Sequence, residues 1–238
     1  MAAAWLILPT YNEADNLEQF VAAVLPELGA AASDHHVLIV DDSSPDGTGR
    51  IADELAGRLP QVEVLHRPAK EGLGRAYIAG FEHALAAGAD LLMEMDSDFS
   101  HDPRDLPRVV SAARDADLVL GSRYVPGGHV EDWGRARRLV SRGGSWYART
   151  ILRVPVRDLT GGFKCFRREV LETLGFTQVH ADGYGFQIEM TYRALKAGFR
   201  VREIPIVFRD RRAGSSKMTA RIAAEAIWKV PALKARLR

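Results

Sequence analysis

Short apolar runs recur along this chain at Trp5–Leu8, Val37–Val40, Val62–Leu65, Leu91–Met93 and Leu118–Leu120. Each is too short for a helix and rich in branched side chains, so each reads as a strand. The segments between the first four carry helical spacing: Leu17, Phe20, Val21, Val24 and Leu25; Ile51, Leu55 and Leu59; Ala76, Ile78, Ala79, Phe81 and Leu85. Buried strands alternating with helices predict an α/β fold, a largely parallel sheet with helices on both faces. A last strand is expected over Val201–Phe208.

The strand ends narrow the site. Three runs empty into polar residues, at Pro9–Glu13, Asp41–Asp46 and Asp96–His101. In a parallel sheet these carboxyl ends share one edge, where ligands bind. Glu13, Asp42 and Asp96 are therefore expected to converge on one crevice, with Asn12 or Asp15 capping the first helix. Asp96 and Asp98 stand two apart, and residues i and i+2 of a strand point the same way. They could grip one cation, and hard oxygen donors suit Mg²⁺ or Mn²⁺. Ser100, Asp102 and Pro103 are equally good helix-start signals, so an acid-decorated helix N-terminus explains the same stretch.

Several classes are excluded. Gly72-Leu73-Gly74 has Tyr77 where a dinucleotide fingerprint needs its third glycine, and it does not follow the first strand; no P-loop occurs either. The one cysteine, Cys165, excludes an internal disulfide or cysteine-rich metal site and fits a reducing compartment. No run is long enough to span a bilayer, and no signal peptide is read at the start. With 238 residues, 47% of them hydrophobic, one large domain is expected.

The net charge of +1 hides a division. Residues 1–133 hold 9 Lys/Arg against 23 Asp/Glu, a balance of −14, and residues 134–238 hold 23 against 8, a balance of +15. Any boundary there is one of function, with an anionic partner expected for the second half. Seven arginines and no acid lie between Gly134 and Arg157, interleaved with Trp146, Tyr147, Ile151 and Leu152 as on an amphipathic helix. Asp158–Lys164 reads as a loop, followed by helices from about Glu169 and from Gly185. The tail from Lys217 reads as a basic amphipathic helix. It can lie on an anionic membrane surface or pack on its own domain with a solvated face.

Taken in order, LPTYNE (8–13), VDDSSPDGT (40–48), GLGRAY (72–77), MDSDFSHDP (95–103), GSRY (121–124), SRG (141–143), DLTGGFK (158–164), GYGFQIEM (183–190) and Arg211 with Ser215-Ser216-Lys217 form a specific series. The chain resembles the inverting family 2 glycosyltransferases of the GT-A fold, above all the dolichol/polyprenol-phosphate mannose synthases. That resemblance implies a Rossmann-like nucleotide-binding first half and an acceptor-binding second half. It implies a nucleotide-sugar pocket of Pro9, Tyr11, Asn12, Glu13, Val40, Asp42, Asp96, Ser97, Asp98, Arg123, Arg211 and Lys217. Asp96, Asp98 and Ser100 would hold Mg²⁺ or Mn²⁺, Ser100 being a short, weak ligand. Asp98 and Arg123 would be catalytic, and Arg123, Arg137, Arg138 and Arg142 would meet an acceptor phosphate.

The implied reaction moves mannose from GDP-mannose to a polyprenyl or dolichyl phosphate. The implied setting is peripheral, on the cytoplasmic face of a membrane and beside an integral membrane partner protein; nucleic acid is not an expected partner. Transfer from UDP-glucose keeps the same fold, and a sugar-nucleotide-binding subunit without turnover is the non-enzymatic alternative. The Gln-x-x-Arg-Trp pattern of processive members is absent, which argues against a polymerase.

Overall fold

The computed structural model describes residues 2–181, 183–210 and 220–237. Strands β1 (Ala4–Thr10), β2 (His35–Asp41), β3 (Val62–His66), β4 (Leu91–Glu94) and β5 (Leu118–Ser122) form where the apolar runs predict them. Between them lie α1 (Leu17–Ala31), α2 (Thr48–Arg58), α3 (Leu73–Ala86) and α4 (Leu106–Ala112). The second half adds β6 (His129–Val130), α5 (Arg135–Leu152), β7 (Lys164–Arg167), α6 (Arg168–Leu174), α7 (Tyr184–Lys196), β8 (Val201–Pro205), β9 (Val207–Phe208) and α8 (Ala220–Arg236). The main sheet has seven strands in the order β3-β2-β1-β4-β7-β5-β8, and β6 pairs with β9 in a second, two-stranded sheet. This is an α/β fold with a mostly parallel central sheet.

Alternation along each strand sorts side chains between two layers. Leu6 and Leu8 of β1, Val37 and Ile39 of β2, and Met93 of β4 pack with α1, α2 and α4. Trp5, Ile7, Leu38, Val40 and Leu92 face the other way, onto α3, α5, α6, α7 and α8. Such two-sided burial is why these strands read as continuous apolar runs.

Three expectations are corrected. Asp158–Lys164 is not wholly loop: Lys164 opens β7, which lies antiparallel between β4 and β5. A strand opening on a lysine carries no apolar signature, and its partners come from distant sequence. The expected final strand is broken at Ile206, so that β8 extends the main sheet while β9 pairs with β6. The α1 cap differs as well: Asn16, rather than Asn12 or Asp15, is the N-cap, and its amide donates to Glu13 at 3.0 Å. Among the described residues no helix is long and apolar enough to cross a membrane.

Candidate active site

β2, β1 and β4 are neighbours, so their carboxyl ends open side by side into a cleft of about 310 Å³. Each of the three loops holds one non-glycine residue in the left-handed region: Asn12 (φ 58°), Ser43 (φ 54°) and Phe99 (φ 62°). A residue with a Cβ occupies this region only where its surroundings enforce it, and such positions gather at functional sites. Here the surroundings are visible. The Asn12 amide donates to the Ser44 hydroxyl, and the Glu13 amide to Thr48. Asp41 accepts from the Ser44 amide and hydroxyl, and the Phe99 ring packs edge-on against Phe20 at 5.0 Å. Asp41 thus orders the loop, while its neighbour Asp42 lines the cleft.

Pro9, Tyr11, Glu13, Asp42, Asp96, Ser97, Asp98, Ser100, Arg123 and Arg137 all line this one cleft. Asn12 does not; it turns the chain between Tyr11 and Glu13. The Val40 side chain is buried in the core and does not reach the cleft. Arg138 and Arg142 are exposed on α5 outside the cleft wall. Helical spacing puts these two on one side of α5 and Arg137 on another, so of the three candidate arginines on this helix only Arg137 lines the cleft. Arg211 and Lys217 lie outside the described residues.

Beside the β2 end of the cleft, Asp42 is held by the Arg67 guanidinium at 2.6 Å, and both are buried. Burial pushes the Asp42 carboxyl up, against the opposing pull of Arg67. Lys70 stands over the Tyr11 ring, 3.8 Å from its centroid. Arg67 and Lys70 escape sequence reading because they precede a loop that matches no nucleotide fingerprint.

The acid pair does not sit in a strand. β4 ends at Glu94, and Asp96 and Asp98 follow in the turn made by Phe99, so strand alternation does not orient them. Asp96 is open to the cleft (38% side-chain exposure), whereas Asp98 is buried and accepts from the Ser100 amide at 3.0 Å. A 3-10 turn over Pro103–Asp105, capped by Asp102, does follow. The helix-start reading therefore applies to Asp102, and the paired acids face the cleft. The buried Ser100 hydroxyl has no hydrogen-bond partner. A cleft-facing carboxylate, a buried carboxylate and an unsatisfied hydroxyl fit a hard divalent cation that takes its remaining ligands from phosphate and water. His101 is buried behind them, its Nε2 lying 3.8 Å from Asp96. Burial, aided by the Arg123 charge, lowers its pKa to about 4, so the imidazole is neutral at pH 7.

Beneath this floor Glu94 and Lys164 are register partners across β4 and β7. Burial pushes the Glu94 carboxyl up and the Lys164 ammonium down, each against the opposing charge of the other. The Lys164 ammonium donates to the Gln187 carbonyl at 2.7 Å, which ties β7 to α7. The far wall is Arg123. Its guanidinium is held by Asp158 through two 2.7 Å bonds and donates to Thr160 at 2.8 Å. Arg137 reaches the cleft from α5, stacked over Trp133 (4.1 Å to the ring centroid) and paired with Asp210 at 3.1 Å.

The cleft at the carboxyl edge of this largely parallel sheet brings carboxylates and guanidinium groups together, a lining suited to an anionic ligand held with a cation. The chain belongs to glycosyl transferase family 2, whose pattern matches residues 5–175, and it is a glycosyltransferase. It is 46% identical over 221 residues (93% of this chain, 89% of the other) to an undecaprenyl-phosphate mannosyltransferase of Micrococcus luteus. It is 47% identical over 227 residues (94% and 84%) to a polyprenol monophosphomannose synthase of Mycolicibacterium smegmatis. A mannosyltransferase from Pyrobaculum calidifontis, in complex with GDP-Man and Mn²⁺, shares the fold at a TM-score of 0.67 and 22% identity; 98% of this chain spans 64% of that one. Glucosyl-3-phosphoglycerate synthase from Mycobacterium tuberculosis shares it at a TM-score of 0.72 and 19% identity, over 98% of this chain and 80% of that one.

Proposed function

We propose that this cleft transfers mannose from GDP-mannose to a polyprenyl phosphate, with inversion at the anomeric carbon. The observation that carries the sugar and the acceptor is the 46–47% identity, over more than nine-tenths of the chain, to two proteins named for that class of product. The meeting of acids and guanidinium groups in one cleft supports it.

Asp42 is positioned to accept from the base or ribose, and Tyr11 with Lys70 to pack beside the base. Asp96 and Asp98, with Ser100, would hold Mg²⁺ or Mn²⁺. A cation there supplies Lewis-acid neutralisation of the leaving diphosphate. The attacking group is a phosphate oxygen. A phosphate monoester has a second pKa near 6, so it is largely ionised at neutral pH and no strong base is required. A neutral, buried His101 agrees with that. The chain's main task is then electrostatic, holding one anion beside another. Arg137 is positioned to receive the acceptor phosphate, which would replace Asp210 as its partner. Arg123, already neutralised by Asp158, serves as a fixed donor. A polyprenyl acceptor keeps its hydrocarbon in a bilayer, so the proposed reaction belongs at a membrane surface; the cytoplasmic face and an integral membrane partner are part of the same proposal.

The test is to offer radiolabelled GDP-mannose, UDP-glucose and UDP-galactose in turn with undecaprenyl phosphate, with and without Mn²⁺. Label is expected in the organic phase from GDP-mannose alone and only with the metal, in a β-linked product by NMR. Transfer from UDP-glucose instead, or an α-linked product, would sink the proposal.

A further inference from the structure

Among the described residues, the large hydrophobic side chains left exposed belong to two helices. They are Leu139 (74%), Val140 (51%) and Trp146 (65%) on α5, and Ile227 (52%) and Trp228 (80%) on α8. The two helices are fastened side by side. The Tyr147 hydroxyl donates to the Ile227 carbonyl at 2.8 Å, and the Lys234 ammonium donates to the Ile151 carbonyl. Five apolar groups on joined helices make a patch, and exposed patches of this kind mark interaction sites.

The α5 helix is ordered around its axis as well. At 3.6 residues per turn, Leu139, Gly143 and Trp146 share one stripe, and Arg138, Arg142 and Arg149 run along its edge. A Cβ added at Gly143 or Gly144 would meet nothing within 4 Å, so no described part of the chain covers the stripe. Arg137 is paired with Asp210, but Arg142 and Arg149 have no acidic partner among the described residues.

We propose that the α5–α8 face docks on an anionic lipid bilayer. Trp146, Trp228 and Leu139 would enter the boundary between headgroups and acyl chains, and the arginine edge would lie on lipid phosphates. Tryptophans at the rim and arginines beside an apolar stripe are the composition that such an interface selects. A second copy fits poorly, because two such faces would oppose arginine to arginine with no acid on α5 to intervene. The patch also adjoins the cleft, since Arg137 leaves the same helix to line it. This placement rests on the proposed acceptor, whose hydrocarbon must stay in the bilayer while its phosphate reaches Arg137.

Vesicles of phosphatidylcholine with and without phosphatidylglycerol provide the test. The full chain should sediment with anionic vesicles, and binding should fall as salt rises. Brominated lipid should quench tryptophan emission in the wild type but not in the Trp146→Phe/Trp228→Phe variant, because Trp5 and Trp133 are buried. The triple variant Leu139→Ser/Trp146→Ser/Trp228→Ser should bind vesicles at least about tenfold more weakly. All three positions are exposed, so its circular dichroism and its transfer to a short-chain, water-soluble polyprenyl phosphate should be unchanged. Failure of the wild type to bind anionic vesicles, absence of quenching, or undiminished binding by the triple variant overturns the proposal. So does a dimer, seen by sedimentation equilibrium, that the triple variant dissolves. Vesicle binding without transfer would remove the proposed reaction and leave the docking face; transfer without vesicle binding would do the reverse.

Discussion

Arg123 is neutralised before any substrate arrives. Asp158 is buried with it, and the ion pair holds the aspartate below the usual carboxylate range and the guanidinium above its own despite burial. The rings of Tyr124 and Phe208 stand 5.2 and 5.4 Å from the guanidinium carbon. Removing one partner of such a pair strands a buried charge, at a cost of about 3–5 kcal/mol. Asp158→Ala should therefore lose stability of that order in urea unfolding; a loss under about 1 kcal/mol would contradict the pairing. His101 sets a pH dependence of opposite origin. It is buried neutral, with a pKa of about 4 against about 6.5 when unfolded. Below pH 6.5 the unfolded chain takes up the proton first, so stability falls from about pH 6.5 to pH 4 and levels off below. The fall should vanish in His101→Phe, read from urea midpoints across that range. Asp98→Asn tests the acid pair directly. Transfer should fall by about a hundredfold or more with little change in melting temperature, and retained activity would remove its assigned role.

Among the elements, α3 packs against β1 and β2 at Gly80. A Cβ there would lie 2.5 Å from the Ile7 Cγ2, and the neighbouring Val40 leaves that side chain little room to move. Gly80→Ala should destabilise by about 1–3 kcal/mol through overpacking, despite alanine's better helix propensity; a gain in stability would show that β1 can yield. β8 also supplies Glu203, which accepts from the Ser122 hydroxyl and from the Arg157 and Asp158 amides. It fixes the loop that presents Asp158 to Arg123. The elements also differ in how far they can be read in advance. β1, β2, β4 and β5 are apolar on both faces and announce themselves. β7 does not, because Lys164 is buried only by virtue of Glu94 across the sheet and the Gln187 carbonyl above it. The acid motif at the end of β4 is legible as chemistry. That Asp96 is open and Asp98 buried follows from the Phe99 turn, which packing against Phe20 enforces.

At the scale of the molecule, the cleft is lined by both halves, with Asp42 and Asp96 from the acidic one and Arg137 and Gln187 from the basic one. Ligands that bridge the halves should stabilise the whole chain. At a hundred times its dissociation constant, a ligand of the folded state adds about 2.7 kcal/mol. GDP-mannose with Mn²⁺ should accordingly raise the melting temperature, and EDTA should abolish the rise; an EDTA-insensitive rise would separate nucleotide binding from the metal. The one cysteine takes no part, since burial pushes the Cys165 thiol up to about 12.

The sequence by itself determined the strand–helix alternation, the shared edge of three strand ends, the paired acids and the charge division. These are local patterns of polarity, and a parallel sheet converts them into a site by its geometry alone. Tertiary structure decided which polar residues face the cleft and which hold it in place. Asp41, Asp158, Glu203 and Lys164 bind their neighbours, Asn12 turns the chain, and Arg138 and Arg142 point away while Arg137 points in. It also left Leu139, Trp146 and Trp228 uncovered on two joined helices. The physical reason is clearest for the buried polar groups. For Asp158, Glu203 and Lys164 the role depends on partners dozens of residues away, which only the folded sheet brings within hydrogen-bonding distance.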